Sequence, residues 1–115
     1  MNNKPDCLSD DMRVVGPLTF RVFRLVAGRE IIPHTHNFGH TTLVMVGTVE
    51  ASIDKGDGTD PVTQRFTAPD AFAARAEWLH GMRAITDCEV WCAYPHRNAD
   101  GEVVEEYSGF TGAYE

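Results

Sequence analysis

The chain has 115 residues, 43% of them hydrophobic, and a formal net charge of −7 at pH 7. This length and apolar fraction suit a single domain with one core. The negative charge argues against nucleic acid or an anionic membrane surface as a partner, because both repel an acidic protein. No apolar run approaches the roughly 20 residues that span a bilayer, and the first residues lack the apolar segment of a secretion signal. We therefore expect a cytoplasmic protein that binds small molecules.

Short runs of β-branched and aromatic residues recur along the chain, and no stretch keeps a helical apolar period for three turns. Gly47 separates two of these runs at a tight connection that calls for positive φ. Strands arriving about every 8 to 12 residues predict a single-domain, all-β sandwich or barrel. The predicted strands are 18–26, 41–46, 48–53, 62–66, 78–86 and 89–94.

The predicted barrel domain covers residues 14–95, between an N-terminal segment at 1–13 and a C-terminal tail at 96–115. The tail is polar and acidic but also carries apolar residues, so we expect it to dock on the barrel or on a partner subunit. Those apolar residues are Val103, Val104, Tyr107, Phe110 and Tyr114.

Three cysteines, Cys7, Cys88 and Cys92, fit neither a disulfide framework nor a zinc pattern. Cys88 and Cys92 share a face of one predicted strand but lie about 13 Å apart along it, too far to pair. We interpret them as reduced thiols in or near the core.

Three of the five histidines fall within seven residues, at His34, His36 and His40. On an extended strand, His34 and His36 project from one face, as two ligands of one metal must. His40 keeps that parity, and Gly39 permits a bend that returns the chain toward the same point. A further ligand then has to come from another strand.

The spacing resembles the first conserved motif of the cupin superfamily: Gly, five residues, His-x-His, three or four residues, Glu, six residues, Gly. In this chain the corresponding positions are Gly28, His34, His36, His40 and Gly47. His40 stands where the family usually has Glu.

The second cupin motif, Pro-x-Gly-x-x-His followed by Asn, is matched only at its histidine, His80. Arg75 and Glu77 occupy the Pro and Gly positions, and Ala84 occupies the Asn position. The resemblance covers about residues 18–94.

The resemblance implies a jelly-roll or cupin β-barrel with one divalent transition metal inside, bound by His34, His36, His40 and His80. Thr42, Val44 and Val46, which share the parity of His40, would form part of the inner wall. His96 lies outside both motifs and is not expected to bind the metal.

Four neutral imidazoles leave the full charge of the ion uncompensated, so an anionic substrate is favoured. Imidazole ligands disfavour Mg and Ca, and leave Fe, Ni, Zn, Mn, Co and Cu open. Because ligation requires neutral imidazole, we expect the metal to be lost as pH falls through about 6.

Three functions remain open at this point. A metal with two adjacent open positions suits an enzyme of the dioxygenase type. A redox-inert role would give an isomerase, a lyase or a sugar-processing enzyme. The third function is a non-catalytic barrel that binds or senses a small ligand. No catalytic acid or base is assigned, since Arg75, Glu77 and Arg83 are expected to be surface charges.

Residues 41–46 are apolar on both faces, with Leu43 and Met45 on the side opposite to Thr42 and Val44. Something must cover that outer side. We expect a homodimer built through this sheet, with the chain's own tail as the alternative cover.

Overall fold

The structure is a computed structural model that describes residues 9–35 and 38–104, apart from the side chain of His34. Within these ranges every regular element is a strand, and there is no helix that could cross a membrane. The strands are β1 (Asp11–Val15), β2 (Leu18–Leu25), β3 (Glu30–His34), β4 (His40–Val46), β5 (Thr48–Asp54), β6 (Val62–Thr67), β7 (Asp70–Ala74), β8 (Leu79–Ala84) and β9 (Cys88–Pro95).

The strands form two antiparallel sheets. The first sheet has the order β1-β2-β9-β4-β7, and the second has the order β3-β8-β5-β6. The order is not sequential, so consecutive strands cross repeatedly between the sheets and tie them together. The predicted all-β jelly-roll is confirmed.

The core lies between the sheets and is built by strict alternation. In β9, Cys88, Val90, Cys92 and Tyr94 are buried, while the residues between them are more exposed. Fully burying an aliphatic side chain such as Val90 stabilises the fold by about 1.5 to 3 kcal/mol. Residues of both sheets meet in this core, among them Phe23, Leu25, Ile31, Val44, Val49 and Met82.

All six predicted strands are present, with ends shifted by a few residues, and three strands were not predicted. β3 lies in the histidine segment, and β7 follows β6 directly from Asp70. β1 spans the predicted domain boundary at residue 13, and of its five residues four are exposed. An exposed edge strand of this kind has no buried face and therefore gives no apolar alternation to find.

The start of the C-terminal tail folds back on itself. Arg97 and Val103 form an antiparallel bridge, and the Val104 N–H donates to the His96 carbonyl at 2.8 Å. The side chain of Val104 is buried. Residues 105–115, with Tyr107, Phe110 and Tyr114, lie outside the described residues.

The prediction for Val46 is wrong. Thr42 and Val44 face the core and are fully buried, but Val46 is 57% exposed. The pairing of β4 with β9 shifts between Val44 and Val46, and a shift of one residue moves the next side chain to the other face.

Gly47 connects β4 to β5 with φ of +82°, as predicted. A Cβ added there would lie 2.3 Å from the Asp87 carbonyl oxygen, so the position excludes a side chain for steric as well as conformational reasons.

Candidate metal centre

His40 and His80 meet in the space between the two sheets. His40 begins β4 in the first sheet, and His80 lies in β8 of the second sheet. Their side chains are only 7% and 5% exposed. The two Nε2 atoms are 3.0 Å apart, and the rings are tilted by 71°. The fold thus brings together two histidines that are 40 residues apart in the chain.

The orientation of His80 is fixed by a backbone carbonyl. His80 Nδ1 lies 2.8 Å from the Trp78 oxygen, and only a protonated nitrogen can donate to that acceptor. In the neutral ring the proton is therefore on Nδ1, and the lone pair is on Nε2, which points at His40. A ring nitrogen held by a carbonyl is the usual partner arrangement of a metal-ligating histidine.

The spacing of the two Nε2 atoms fits a shared metal ion. Two nitrogens at about 2.1 Å from one ion, and at a right angle to each other, are about 3.0 Å apart. The 3.0 Å separation in the structure equals this value. Both donors are buried imidazoles, which suit transition metals. The two residues therefore fit the predicted ion.

His34 lies on β3 directly opposite His80 in the β3–β8 register. Gly81 permits this pairing, because a Cβ there would lie 2.8 Å from the Ile31 carbonyl oxygen and 2.9 Å from Pro33 N. His36 and the His34 side chain are outside the description. Among the side chains that are described, no group of three or more His, Cys, Asp or Glu could hold a metal. Ligation by all four histidines therefore stays a prediction.

A turn presents the Trp78 carbonyl to His80. The Trp78 N–H donates to the Arg75 carbonyl at 3.2 Å, and between them Glu77 has φ of +69°. Glu77 occupies the glycine position of the second motif, so the left-handed backbone is present although the glycine is not. The side chains of Arg75 and Lys55 both lie against the Trp78 ring.

Neither Arg21 nor Tyr94 was predicted as a site residue. Arg21 shares the inward parity of its β2 neighbours Thr19 and Phe23, which are 1% and 5% exposed. Its Nε donates to the Tyr94 hydroxyl at 2.8 Å, and the Tyr94 side chain is 3% exposed. The sequence signal that could have identified Arg21 is its place in β2, where strand alternation puts this charged residue at a core-facing position.

His96 has a different environment from the other described histidines. Its Nδ1 lies 3.0 Å from Thr19 Oγ1, and its backbone N–H donates to the Pro17 carbonyl at 2.8 Å. These contacts tie the end of β9 to the start of β2, which is a structural role.

No protein-family model matches the sequence, and no curated protein matches it either. Solved structures do match. KdgF from Halomonas sp. is similar over 78% of this chain and 79% of its own, with 24% identity and a TM-score of 0.64. Oxalate decarboxylase from Bacillus subtilis matches over 82% of this chain, with 18% identity and a TM-score of 0.70. The chain spans only 24% of that protein. The chain has the cupin fold.

The conserved SPY1581 protein of unknown function from Streptococcus pyogenes is also similar, with 21% identity, a TM-score of 0.61 and 78% of each chain covered. At these identities the similarity establishes the fold and no activity.

Both glycines at the ends of the first cupin motif have positive φ, +91° at Gly28 and +82° at Gly47. Positive φ therefore explains why both positions hold glycine.

Proposed function

We propose that this cupin is a metal-dependent enzyme that acts on a small organic anion, with the metal bound by His34, His36, His40 and His80. The observation that carries the proposal is the buried pair of Nε2 atoms 3.0 Å apart, one from each sheet. Two buried imidazoles whose Nε2 atoms converge at 3.0 Å are placed as two ligands of one transition-metal ion would be.

Bound there, a divalent ion would act as a Lewis acid toward an oxygen atom of the substrate. The chain's own residues supply the rest of the site. The Trp78 carbonyl holds the His80 ring with Nε2 toward His40. The fully buried Thr42 and Val44, next to His40 on β4, exclude water from the inner wall.

Two relatives of this fold support an anionic substrate. The oxalate decarboxylase named above has Mn(II) centres, and an oxalate oxidase is similar over 67% of this chain, with 16% identity and a TM-score of 0.57. Oxalate carries two carboxylates. Neutral histidine ligands favour an anion at the metal for the same electrostatic reason.

Among the possible reactions we favour dioxygenase-type chemistry, in which Fe(II) and O2 act together on the substrate. Oxygen uptake by iron-loaded protein on candidate acids, thiols and diketones tests this choice. Turnover by the zinc-loaded protein without oxygen uptake would instead identify an isomerase, lyase or sugar-processing reaction, because Zn is redox-inert.

The metal itself is tested by elemental analysis of protein purified without a histidine tag. We expect about one equivalent of a transition metal in the wild type, and its loss in both His34→Ala and His80→Ala. His96→Ala is the matched control and should keep its metal, because His96 bonds to Thr19 instead. A wild type that binds no metal under any loading condition would contradict the proposal and leave a ligand-binding barrel.

A further inference from the structure

The ring of Trp78 contacts two cations that come from different sheets. The Lys55 ammonium nitrogen lies 5.1 Å from the centre of the indole ring, and the Arg75 guanidinium carbon lies 5.8 Å from it. Lys55 directly follows β5 of the second sheet, and Arg75 directly follows β7 of the first sheet. A cation within about 6 Å of a tryptophan ring is attracted to its π face. The indole ring therefore links the two sheets at one end of the barrel.

This link lies at the end of the barrel where His40 and His80 meet. The last residue of β7, which precedes Arg75, is paired with His40. The residue two positions before Lys55 in β5 is paired with His80. Each cation thus extends a strand that pairs with one of the two histidines. The contacts to the indole ring constrain the two strands relative to each other at the level of the histidines.

The turn that carries Trp78 needs such a constraint. Glu77 has φ of +69°, which is unfavourable for a residue with a Cβ. The turn is closed by the Trp78 N–H, which donates to the Arg75 carbonyl at 3.2 Å, at the long end of the usual range. A backbone conformation of this kind persists only where surrounding contacts fix it. Lys55 reaches the turn from a different hairpin and supplies a contact of this type.

The Trp78 carbonyl passes the constraint on to His80. It accepts the hydrogen bond of His80 Nδ1 at 2.8 Å, which leaves the lone pair on Nε2. If the turn relaxed, the carbonyl would move away and Nδ1 would lose its acceptor. The proton would then be free to move to Nε2, the nitrogen that must be unprotonated to bind a metal.

We propose that Trp78 is a positioning residue of the metal centre, and that the contacts of Lys55 and Arg75 to its ring hold the carbonyl that fixes His80. The inference rests on the proposed function for the presence of a metal. The effect on the His80 ring does not depend on the metal, because the Trp78 carbonyl bonds to the nitrogen that faces away from His40.

The first readout is the tautomer of His80 in metal-free protein, measured by NMR of the ring nitrogens at about pH 8, where imidazole is neutral. The wild type should carry the proton on Nδ1 alone. Trp78→Ala should give a mixture of both tautomers. Trp78→Tyr should keep the Nδ1 form, because a phenol ring still presents a π face to the two cations.

The second readout is affinity for Co(II), whose absorption reports ligation. Trp78→Ala should weaken binding about tenfold or more, as does the loss of other groups that orient a ligand. Lys55→Gln and Arg75→Gln should each weaken it about two- to fivefold, because each removes one contact to the ring. Both side chains are exposed, so these two variants should fold as the wild type does.

Trp91→Ala is the matched control. Trp91 is also half-buried and also contacts a cation, since the Arg13 guanidinium carbon lies 5.8 Å from its ring centre. It alternates with buried residues of β9 and therefore faces away from the core. Removing this ring should leave the His80 tautomer and the Co(II) affinity unchanged.

Glu77→Gly tests whether the ring acts through the turn. Glycine adopts the left-handed conformation without a Cβ clash, so the turn no longer needs the ring to hold it. Adding Glu77→Gly to Trp78→Ala should restore the Nδ1 tautomer and most of the Co(II) affinity. A double variant no better than Trp78→Ala would reject a role through the turn.

The inference is overturned if Trp78→Ala keeps the Nδ1 tautomer and the wild-type affinity, or if both glutamine variants match the wild type in both readouts. Should Trp78→Ala fail to fold, the glutamine variants decide. A wild type that binds no metal defeats the proposed function alone. In that case a mixture of His80 tautomers in the Trp78 and glutamine variants would still support the positioning role, and a single Nδ1 form would still reject it.

Discussion

Glu77 adopts a backbone conformation that costs energy for any residue with a Cβ. Its φ of +69° lies in the left-handed region, at the position where the second cupin motif has glycine. For a non-glycine residue this conformation costs about 1 to 2 kcal/mol, and glycine recovers most of that at an entropic cost of about 0.5 to 1 kcal/mol. This turn presents the Trp78 carbonyl to His80.

We therefore expect Glu77→Gly to stabilise the protein by about 0.5 to 1 kcal/mol, which raises Tm by about 2 to 4 °C. Glu77→Ala is the matched control, because it removes the carboxylate but keeps the Cβ, and it should give no gain. Thermal unfolding of the three proteins decides the matter. Equal gains in the two variants would assign the effect to the lost charge instead of the backbone.

Because of Cys88, the free energy of unfolding should depend on pH in the alkaline range. Burial raises the pKa of the Cys88 thiol, and the nearby Asp87 carboxylate raises it further. The unfolded chain has the lower pKa and releases the proton first, so the free energy of unfolding falls as pH rises above about 8.5. Below that pH the contribution is fully present. Urea unfolding from pH 7 to 10 should show a shallower loss in Cys88→Ala than in the wild type, and parallel slopes would contradict the assignment.

The candidate site was partly predictable from single residues. The spacing of His34, His36 and His40 predicted a metal site, because alternate residues of a strand project from the same face. His80 required the family resemblance, since its pairing partner lies far away in the chain. The Trp78 carbonyl and the Arg21–Tyr94 bond depend on the register between strands, which no local pattern encodes.

Gly28 and Gly47 are constrained to different degrees. Gly28 and Gly47 both have positive φ, but a Cβ at Gly28 would meet nothing within 4 Å, whereas one at Gly47 would meet the Asp87 carbonyl, Thr86 and Cys88. Gly47 is therefore constrained by the close approach of the β4–β5 turn to the turn before β9 as well as by its dihedral angles.

Gly28→Ala should cost about 0.5 to 1 kcal/mol, which is the conformational penalty less the entropy that glycine loses on folding. Gly47→Ala should cost about 3 kcal/mol or more, because the methyl group also displaces backbone. Urea unfolding of both variants measures the difference. Equal costs would show that the neighbouring turn yields easily, and would reduce Gly47 to a purely conformational requirement.

Strands with one buried face were the elements that the sequence predicted well. In β9 the buried residues alternate strictly with more exposed ones along the strand. β1 has no buried face, β3 contains Pro33 and a register shift, and β7 is short and rich in alanine. The side chain of Val46 was predicted on the wrong face because the pairing register shifts at the end of β4. Such a bulge depends on how the strands pair and not on composition.

The outer face of the first sheet is largely apolar. Leu18 and Met45 are 37% and 48% exposed, and Phe20, Leu43 and Trp91 are half-buried beside them. A groove of about 650 Å³ lies across this face. The rim carries both signs of charge, in the ion pair of Arg24 with Glu89. A patch with an apolar centre and a mixed rim is suited to meet its own copy about a twofold axis.

We propose that this face forms a homodimer, and light scattering should return a mass about twice the 12.8 kDa of the chain. Met45→Lys places a charge in the centre of the patch and should shift the protein to monomer, because an unpaired buried charge opposes association. Val62→Lys is the matched control: Val62 is 53% exposed but lies on the other sheet, so its variant should stay dimeric. A wild type that is monomeric at all concentrations would contradict the dimer and favour residues 105–115 as the cover. Deleting those residues would then expose the patch and promote association that Met45→Lys suppresses.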